Sequence, residues 1–150
     1  MKYIFYRHVE DAIRDRKFLK AVVSYAIKRA WEHDEHKVIK HFRDLIDEKE
    51  PSTGELLAQT SHWLSPRCGS EAVLSIGSGI EWMENPEFAG VISVMPHGCM
   101  PGGIVAALGE LISSEYDHKP WISLTYDGFP DKVNPERIAD LAEQLRHRMG

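Results

Sequence analysis

Gly90-Val91-Ile92-Ser93-Val94-Met95-Pro96-His97-Gly98-Cys99-Met100-Pro101-Gly102-Gly103 is the stretch whose reading decides the fold. Gly90 to Met95 is a short apolar run, rich in β-branched residues and bounded by Gly and Pro, which is the pattern of a buried strand. Pro101 suits the first turn of a helix, where its missing N–H is wanted least. That helix carries Ile104, Val105, Leu108, Leu111 and Ile112. A second apolar run, Trp121-Ile122-Ser123-Leu124-Thr125-Tyr126, follows as a strand. A helix between two strands makes a parallel pair with a right-handed crossover.

Working outward, Ser70 to Met83 is ambiguous. Val73-Leu74-Ser75-Ile76 resembles a strand, but Val73, Ile76, Ile80 and Met83 recur at helical spacing, so a helix is expected despite Gly77 and Gly79. Downstream, Asn134-Pro135-Glu136 reads as an N-cap followed by Pro at the first helical position, and the last helix should bury Ile138, Leu141 and Leu145. The second half is therefore α-β-α-β-α.

The first third reads as helical. One stripe runs through Val9, Ala12, Ile13, Leu19, Val22, Val23, Ala26, Ile27 and Ala30, and another through Val38, Ile39, Phe42, Leu45 and Ile46. Glu50-Pro51-Ser52-Thr53-Gly54 breaks it, and Ser52 with Glu55 fits a capping box. The next helix presents Leu56, Leu57, Thr60, Trp63 and Leu64 and should end by Pro66. The expected architecture is one α/β domain over 1–150: a helical part over 8–65, then a small parallel β-α-β-α unit over 69–148, Rossmann-like and three-layered. Two strands make a poor sheet, because parallel sheets want several strands and both faces covered. Tyr3-Ile4-Phe5-Tyr6 is a candidate third strand. Otherwise the missing strands come from a partner, and the chain is a fragment or subunit of something larger, or a homo-oligomer in isolation.

The bulk composition narrows the function. With 43% hydrophobic and 27% charged residues, 150 residues are enough for a packed core without disulfides. The net charge of −5 argues against nucleic-acid binding, which needs basic surface. Arg14, Arg16, Lys17 and Lys20 are interleaved with Glu10, Asp11 and Asp15 and read as a solvated helix face. The N-terminus lacks the apolar core of a signal peptide. The uncharged run from Phe88 to Gly109 is long enough to span a bilayer, but Pro96, Gly98, Pro101, Gly102 and Gly103 break its middle. A cytoplasmic protein with no membrane partner is expected.

In an open parallel sheet, ligands bind beyond the carboxyl ends of the strands. Those ends are the loop His97, Gly98, Cys99, Met100, Pro101, Gly102 and Gly103, and the turn Tyr126-Asp127-Gly128. Glycines let backbone amides approach a ligand, and the helix start favours an anion such as a phosphate, or a thioester oxygen. Cys99 is the candidate nucleophile or metal ligand, since a thiol at a helix N-terminus has a lowered pKa; the alternative is a small buried hydrophobe. Cys68 is a weaker candidate ligand. Asp127 can bind a ligand hydroxyl or metal, or close an Asp-Gly turn. His33, His36 and His41 read as solvated. Neither cysteine belongs to a C-x-x-C pair, so zinc lacks its usual spacing.

The stretch from Gly90 to Gly102, followed by Pro120-Trp121-Ile122-Ser123-Leu124-Thr125-Tyr126-Asp127-Gly128, resembles the C-terminal region of large proteins related to the 2-hydroxyglutaryl-CoA dehydratase activase. Gly69-Ser70-Glu71-Ala72-Val73-Leu74-Ser75-Ile76-Gly77 is similar to that family's helix before the strand. The likeness covers roughly residues 69 to 145. It implies an ATP-driven activase that passes an electron to a dehydratase carrying iron–sulfur clusters. It makes the Cys-Met-Pro-Gly loop a ligand or substrate loop with Cys99 as the matching residue. His97 and Gly98 depart from the family's bulky-then-polar pair, and the activase's ATP-binding segments have no counterpart here. A cluster needs three or four cysteines, and the chain offers two. The implied role is an accessory domain with no cofactor of its own, an iron–sulfur cluster being possible only with ligands from another segment or chain. Its partners would be other domains or subunits of an activase–dehydratase system. A CoA- or nucleotide-binding module without catalysis, and a free-standing cysteine enzyme, are the alternatives.

Overall fold

The structure, a computed structural model, describes residues 2–42, 51–129 and 133–149. The chain divides into two compact units, Met1–Thr53 and Gly54–Gly150. The division falls at the first residue of the helix over Thr53–Thr60.

The first unit is a helical hairpin of α1 (Lys2–Arg14) and α2 (Phe18–Lys40). The continuous stripe expected from Val9 to Ala30 is interrupted at Asp15–Lys17. Arg16 takes φ 57°, and Lys17 N–H donates to Ala12 O at 2.8 Å and Arg16 N–H to Ile13 O at 3.0 Å. This left-handed turn closes α1 with an arginine where glycine is usual. Tyr3 to Tyr6 lie in α1, so the candidate third strand is a helix; Arg7 sits one turn from Glu10 and bonds it at 2.9 Å, a contact that needs helical spacing. The hairpin buries Tyr3, Ala12, Ala21 and Ser24. Leu19, Val22 and Val23, expected on the buried stripe, are exposed. Leu45 and Ile46, from the second expected stripe, lie outside the described residues. His33, His36 and His41 are exposed, as read.

The second unit contains α3 (Thr53–Thr60), α4 (Ala72–Glu84), β1 (Val91–Pro96), α5 (Met100–Glu115), β2 (Trp121–Tyr126) and α6 (Val133–Met149). The fold class is mixed α/β, mostly helical, with a two-stranded parallel sheet. The register pairs Val91 with Trp121 and Pro96 with Tyr126. The helix over Ser70–Met83 and the parallel pair stand as the sequence predicts.

Four details differ from expectation. Helix α3 ends at Thr60, well before Pro66: Ser61 Oγ donates to Ala58 O at 2.6 Å, the carbonyl that the next helical turn would need. Leu111 of α5 is exposed, because the buried stripe is Gly102, Val105, Gly109 and Ile112. Asn134 lies inside the first turn of α6 instead of capping it, and its Nδ2 donates to Thr125 O at 2.7 Å. Ile138 is exposed, and Leu141 alone of the expected α6 set is fully buried.

The core shows why glycines are tolerated in these helices. Ala72, Ile76, Ile80 and Met83 of α4 cluster with Val91, Val105 and Ile112. Ile76 and Ile112 are fully buried, and burial of such a side chain contributes about 1.5–3 kcal/mol. The Trp121 ring lies between α4 and α5. A Cβ at Gly79 would overlap its six-membered ring, and one at Gly109 would sit 2.7 Å from Cδ1 and Nε1. Trp121 Nε1 donates to Ser93 Oγ at 3.3 Å, and Ser93 Oγ lies 2.7 Å from Ser123 Oγ. The helices α3 and α4 meet through the buried Thr60, whose Oγ1 lies 2.8 Å from Leu56 O and 2.6 Å from Val73 O.

Candidate functional site

A groove of about 480 Å3 runs between α4, β1 and the start of α5. Its floor is β1. One wall is Glu71, just before α4, with Leu74, Ser75, Ser78 and Trp82 of α4, and Cys99, Pro101, Gly102 and Val105 form the end nearest α5. The groove runs the length of β1, from Val91 and Trp121 to Pro96, and only its Cys99–Gly102 end lies beyond the carboxyl end of the strand, where an open parallel sheet places ligands.

The loop is built by local geometry. Cys99 N–H donates to Pro96 O at 3.2 Å, closing a turn over His97 and Gly98. Gly98 has φ +73°, a backbone that a type II turn asks for at its third position and that L side chains avoid. Cys99 then takes extended backbone as the N-cap of α5, with no side-chain cap bond. Its carbonyl accepts Gly103 N–H at 2.9 Å, which starts the helix. Pro101 has no N–H to leave unsatisfied in the first turn. The Gly102 backbone lies against Met95: a Cβ there would overlap Sδ and come within 2.9 Å of the Met95 Cβ.

The sequence-predicted residues do not all meet. Cys99, half-buried, lines the groove together with Pro101 and Gly102. His97 is exposed, and its backbone N–H ties the loop to Tyr126 O at 2.9 Å. Met100 is 73% exposed and is not among the lining residues. Gly103 has open space where a Cβ would stand. Tyr126 and Asp127 follow the adjacent strand but are not among the lining residues. Asp127 Oδ1 accepts Phe129 N–H at 2.9 Å, which is the turn-closing role. Cys68 is exposed and is also outside the lining.

Sequence reasoning missed the α4 wall. Its signal was present: Glu71, Leu74, Ser75, Ser78 and Trp82 recur at helical spacing on the side of α4 opposite to the core residues. Trp82, 40% exposed, is stacked at a tilt on Phe88 with ring centroids 6.0 Å apart. Of the lining residues, Glu71 and Cys99 are titratable. Among the described residues no group of three His, Cys, Asp or Glu side chains is arranged to hold a metal. The sequence has two cysteines, Cys68 and Cys99, where an iron–sulfur cluster takes about four cysteine ligands.

Two polar side chains in the same unit serve structure. Lys119 Nζ donates to the carbonyls of Trp82 at 2.8 Å, Met83 at 3.1 Å and Asn85 at 2.8 Å, closing the C-terminal end of α4. Tyr116 donates to Glu84 Oε1 at 3.1 Å, and its phenol is pushed above its ordinary pKa by burial first and by Glu84 second. Among the described residues no helix is long and apolar enough to cross a membrane. Comparison with protein-family models, curated proteins and solved structures returned no match.

Proposed function

We propose that this chain acts as an accessory or C-terminal domain of a cytoplasmic 2-hydroxyacyl-CoA dehydratase activase-like protein, holding a thioester ligand at the Gly98–Gly103 loop. The observation that carries the reading is Cys99 at the start of α5, lining the end of a groove that runs along β1. Leu74, Trp82 and Val105 offer apolar surface for an acyl or pantetheine chain. First-turn amides of α5 offer donors to a thioester oxygen or phosphate. In this reading the unit is a short Rossmann-like, three-layered segment with α6 on the face of β2 opposite α5; the buried Leu124 supports that arrangement. Any cluster belongs to the assembly, with ligands from another segment or chain, and the chain's own part is to bind and orient.

The test is titration with a 2-hydroxyacyl-CoA thioester. Trp82 fluorescence should change saturably, and Trp82→Phe should remove the change. The same ligand should slow iodoacetamide labelling of Cys99 and leave Cys68 unaffected as an internal control. Equal protection of both cysteines, or no saturation, refutes the loop as the site. Anaerobic incubation with iron and sulfide adds a second arm: a stoichiometric [4Fe–4S] centre on the chain alone would overturn the accessory role.

A further inference from the structure

The helical hairpin of the first unit is folded with its apolar stripe outward. Helix α2 buries Ala21 and Ser24, and Lys28 on the same side holds its Nζ 5.7 Å from the centre of the Tyr6 ring of α1. Leu19, Val22, Val23, Ala26, Ile27 and Ala30 fall on the other side, at the spacing of a single helical stripe. All six are exposed, Leu19 by 81%, and Phe18 and Trp31 at the two ends of the stripe are exposed as well. An amphipathic helix ordinarily turns such a stripe into its core. Here the small and polar side is packed and the apolar side is left out.

Charge is segregated to the same segment. Arg16 to Trp31 holds five cations, Arg16, Lys17, Lys20, Lys28 and Arg29, and no carboxylate, in a chain of net charge −5. The acids that precede it are held by their own neighbours: Glu10 by Arg7 at 2.9 Å, Asp11 by Arg14 at 2.9 Å and Asp15 by Lys17 at 3.3 Å. Lys20 has no ion pair among the described residues, and Arg29 meets Glu32 only at 3.5 Å on an open surface, where such a pair is worth little. Successive residues turn by about 100°, so Lys20 and Arg29 stand about a quarter turn to either side of the stripe. An apolar centre, a cation on each flank and an aromatic ring at each end make the pattern of a helix that lies in a membrane interface, with its long stems along hydrocarbon and its charged heads at the phosphates.

We propose that α2 docks in the plane of an anionic lipid surface, with Leu19, Val22, Val23 and Ile27 below the headgroups and Lys20 and Arg29 among their phosphates. Length decides between lying and spanning: Phe18 to Trp31 covers about 20 Å of helix, short of a hydrocarbon core of about 30 Å. Charge decides the occupant. A second copy would bring the same unmatched cations to the seam, whereas an anionic surface neutralises both flanks at once, each cation near it strengthening binding about fivefold. Aromatic rings at both ends also suit the headgroup level of a flat layer. The expectation of no membrane partner rests on the broken Phe88–Gly109 run, and an in-plane helix needs no such span. The stripe belongs to the first unit and the groove to the second, so the docking stands whatever ligand Cys99 meets.

The full chain should float with vesicles of phosphatidylcholine and phosphatidylserine, bind vesicles of phosphatidylcholine alone at least about tenfold more weakly, and be released from the anionic vesicles as salt rises. Val23→Glu sets a carboxylate into the middle of the stripe and should weaken binding at least about tenfold. Lys20→Gln should weaken it about fivefold. Both positions are exposed, so far-UV circular dichroism should stay unchanged. The lipid and salt dependence of the unmodified chain keeps the test decisive if a variant fails to fold. No flotation with anionic vesicles overturns the proposal, and so does equal flotation with neutral ones, since the cations then play no part. Binding left intact by both substitutions overturns it as well, because another surface is then in use. A dimer that forms without lipid affinity and is lost in Val23→Glu assigns the stripe to a second copy instead.

Discussion

Gly109→Ala and Gly103→Ala make the same chemical change in the same helix, and the structure separates their outcomes. Replacing glycine by alanine inside a helix is worth up to about 1 kcal/mol, because alanine loses less backbone freedom on folding. At Gly103 nothing lies within 4 Å of the added Cβ, so that gain should survive. At Gly109 the Cβ would stand 2.7 Å from Trp121 Cδ1 and Nε1, well inside the ordinary contact range of 3.4–4 Å. The indole cannot slide away freely, since its other side is against Gly79 of α4 and its Nε1 is held by Ser93 Oγ. Overpacking of this kind costs about 1–3 kcal/mol. The helix gain is common to both variants, so they should differ by the overpacking cost, about 1–3 kcal/mol, with Gly103→Ala the more stable. Urea unfolding followed by tryptophan fluorescence reads this as midpoints about 0.5–1.5 M apart, given a slope of about 2 kcal/mol per M. Trp121→Phe in the Gly109→Ala background should recover part of the loss, a coupling seen only when the two positions touch. If both alanines stabilise equally, the placement of Trp121 between α4 and α5 is wrong.

Lys119→Met keeps the stem and removes the ammonium from three carbonyls at the end of α4, and should lower stability by about 1–2 kcal/mol in the same unfolding assay. Tyr116 holds its proton more tightly folded than unfolded, so its contribution is fully present below pH 10.0 and is lost as pH rises through its raised pKa. Stability measured against pH should fall there, and Tyr116→Phe should flatten that part of the profile. Asn134→Ala leaves Thr125 O on the edge of β2 without its side-chain donor and should cost about 1–2 kcal/mol; no loss in thermal unfolding would show that α6 does not close that edge.

The sequence by itself determined the elements whose cause is local. Gly and Pro bound the apolar run of β1, Pro101 can stand only in the first turn of α5, and the Val73, Ile76, Ile80, Met83 spacing makes α4 a helix through its glycines. The helix between the strands already required a parallel pair, and the Gly98 turn with Cys99 at a helix start was legible because both are backbone effects of neighbouring residues. Tertiary structure alone decided the rest. Tyr3 to Tyr6 have good strand propensity, yet helical pairing of Arg7 with Glu10 and burial of Tyr3 place them in α1. Gly79 and Gly109 looked like weak points of two helices until Trp121, on a strand far along the chain, was seen to occupy the space a side chain would take. Leu111 looked like core and is exposed, because that same indole makes glycines the buried stripe of α5. Asp127 and Cys99 end neighbouring strands, but Asp127 spends its carboxylate on its own turn while Cys99 faces the groove. The α4 wall of that groove was hidden for the same reason: a polar helical stripe looks the same in sequence whether it meets water or faces a strand edge, and only the position of β1 beside it makes a site.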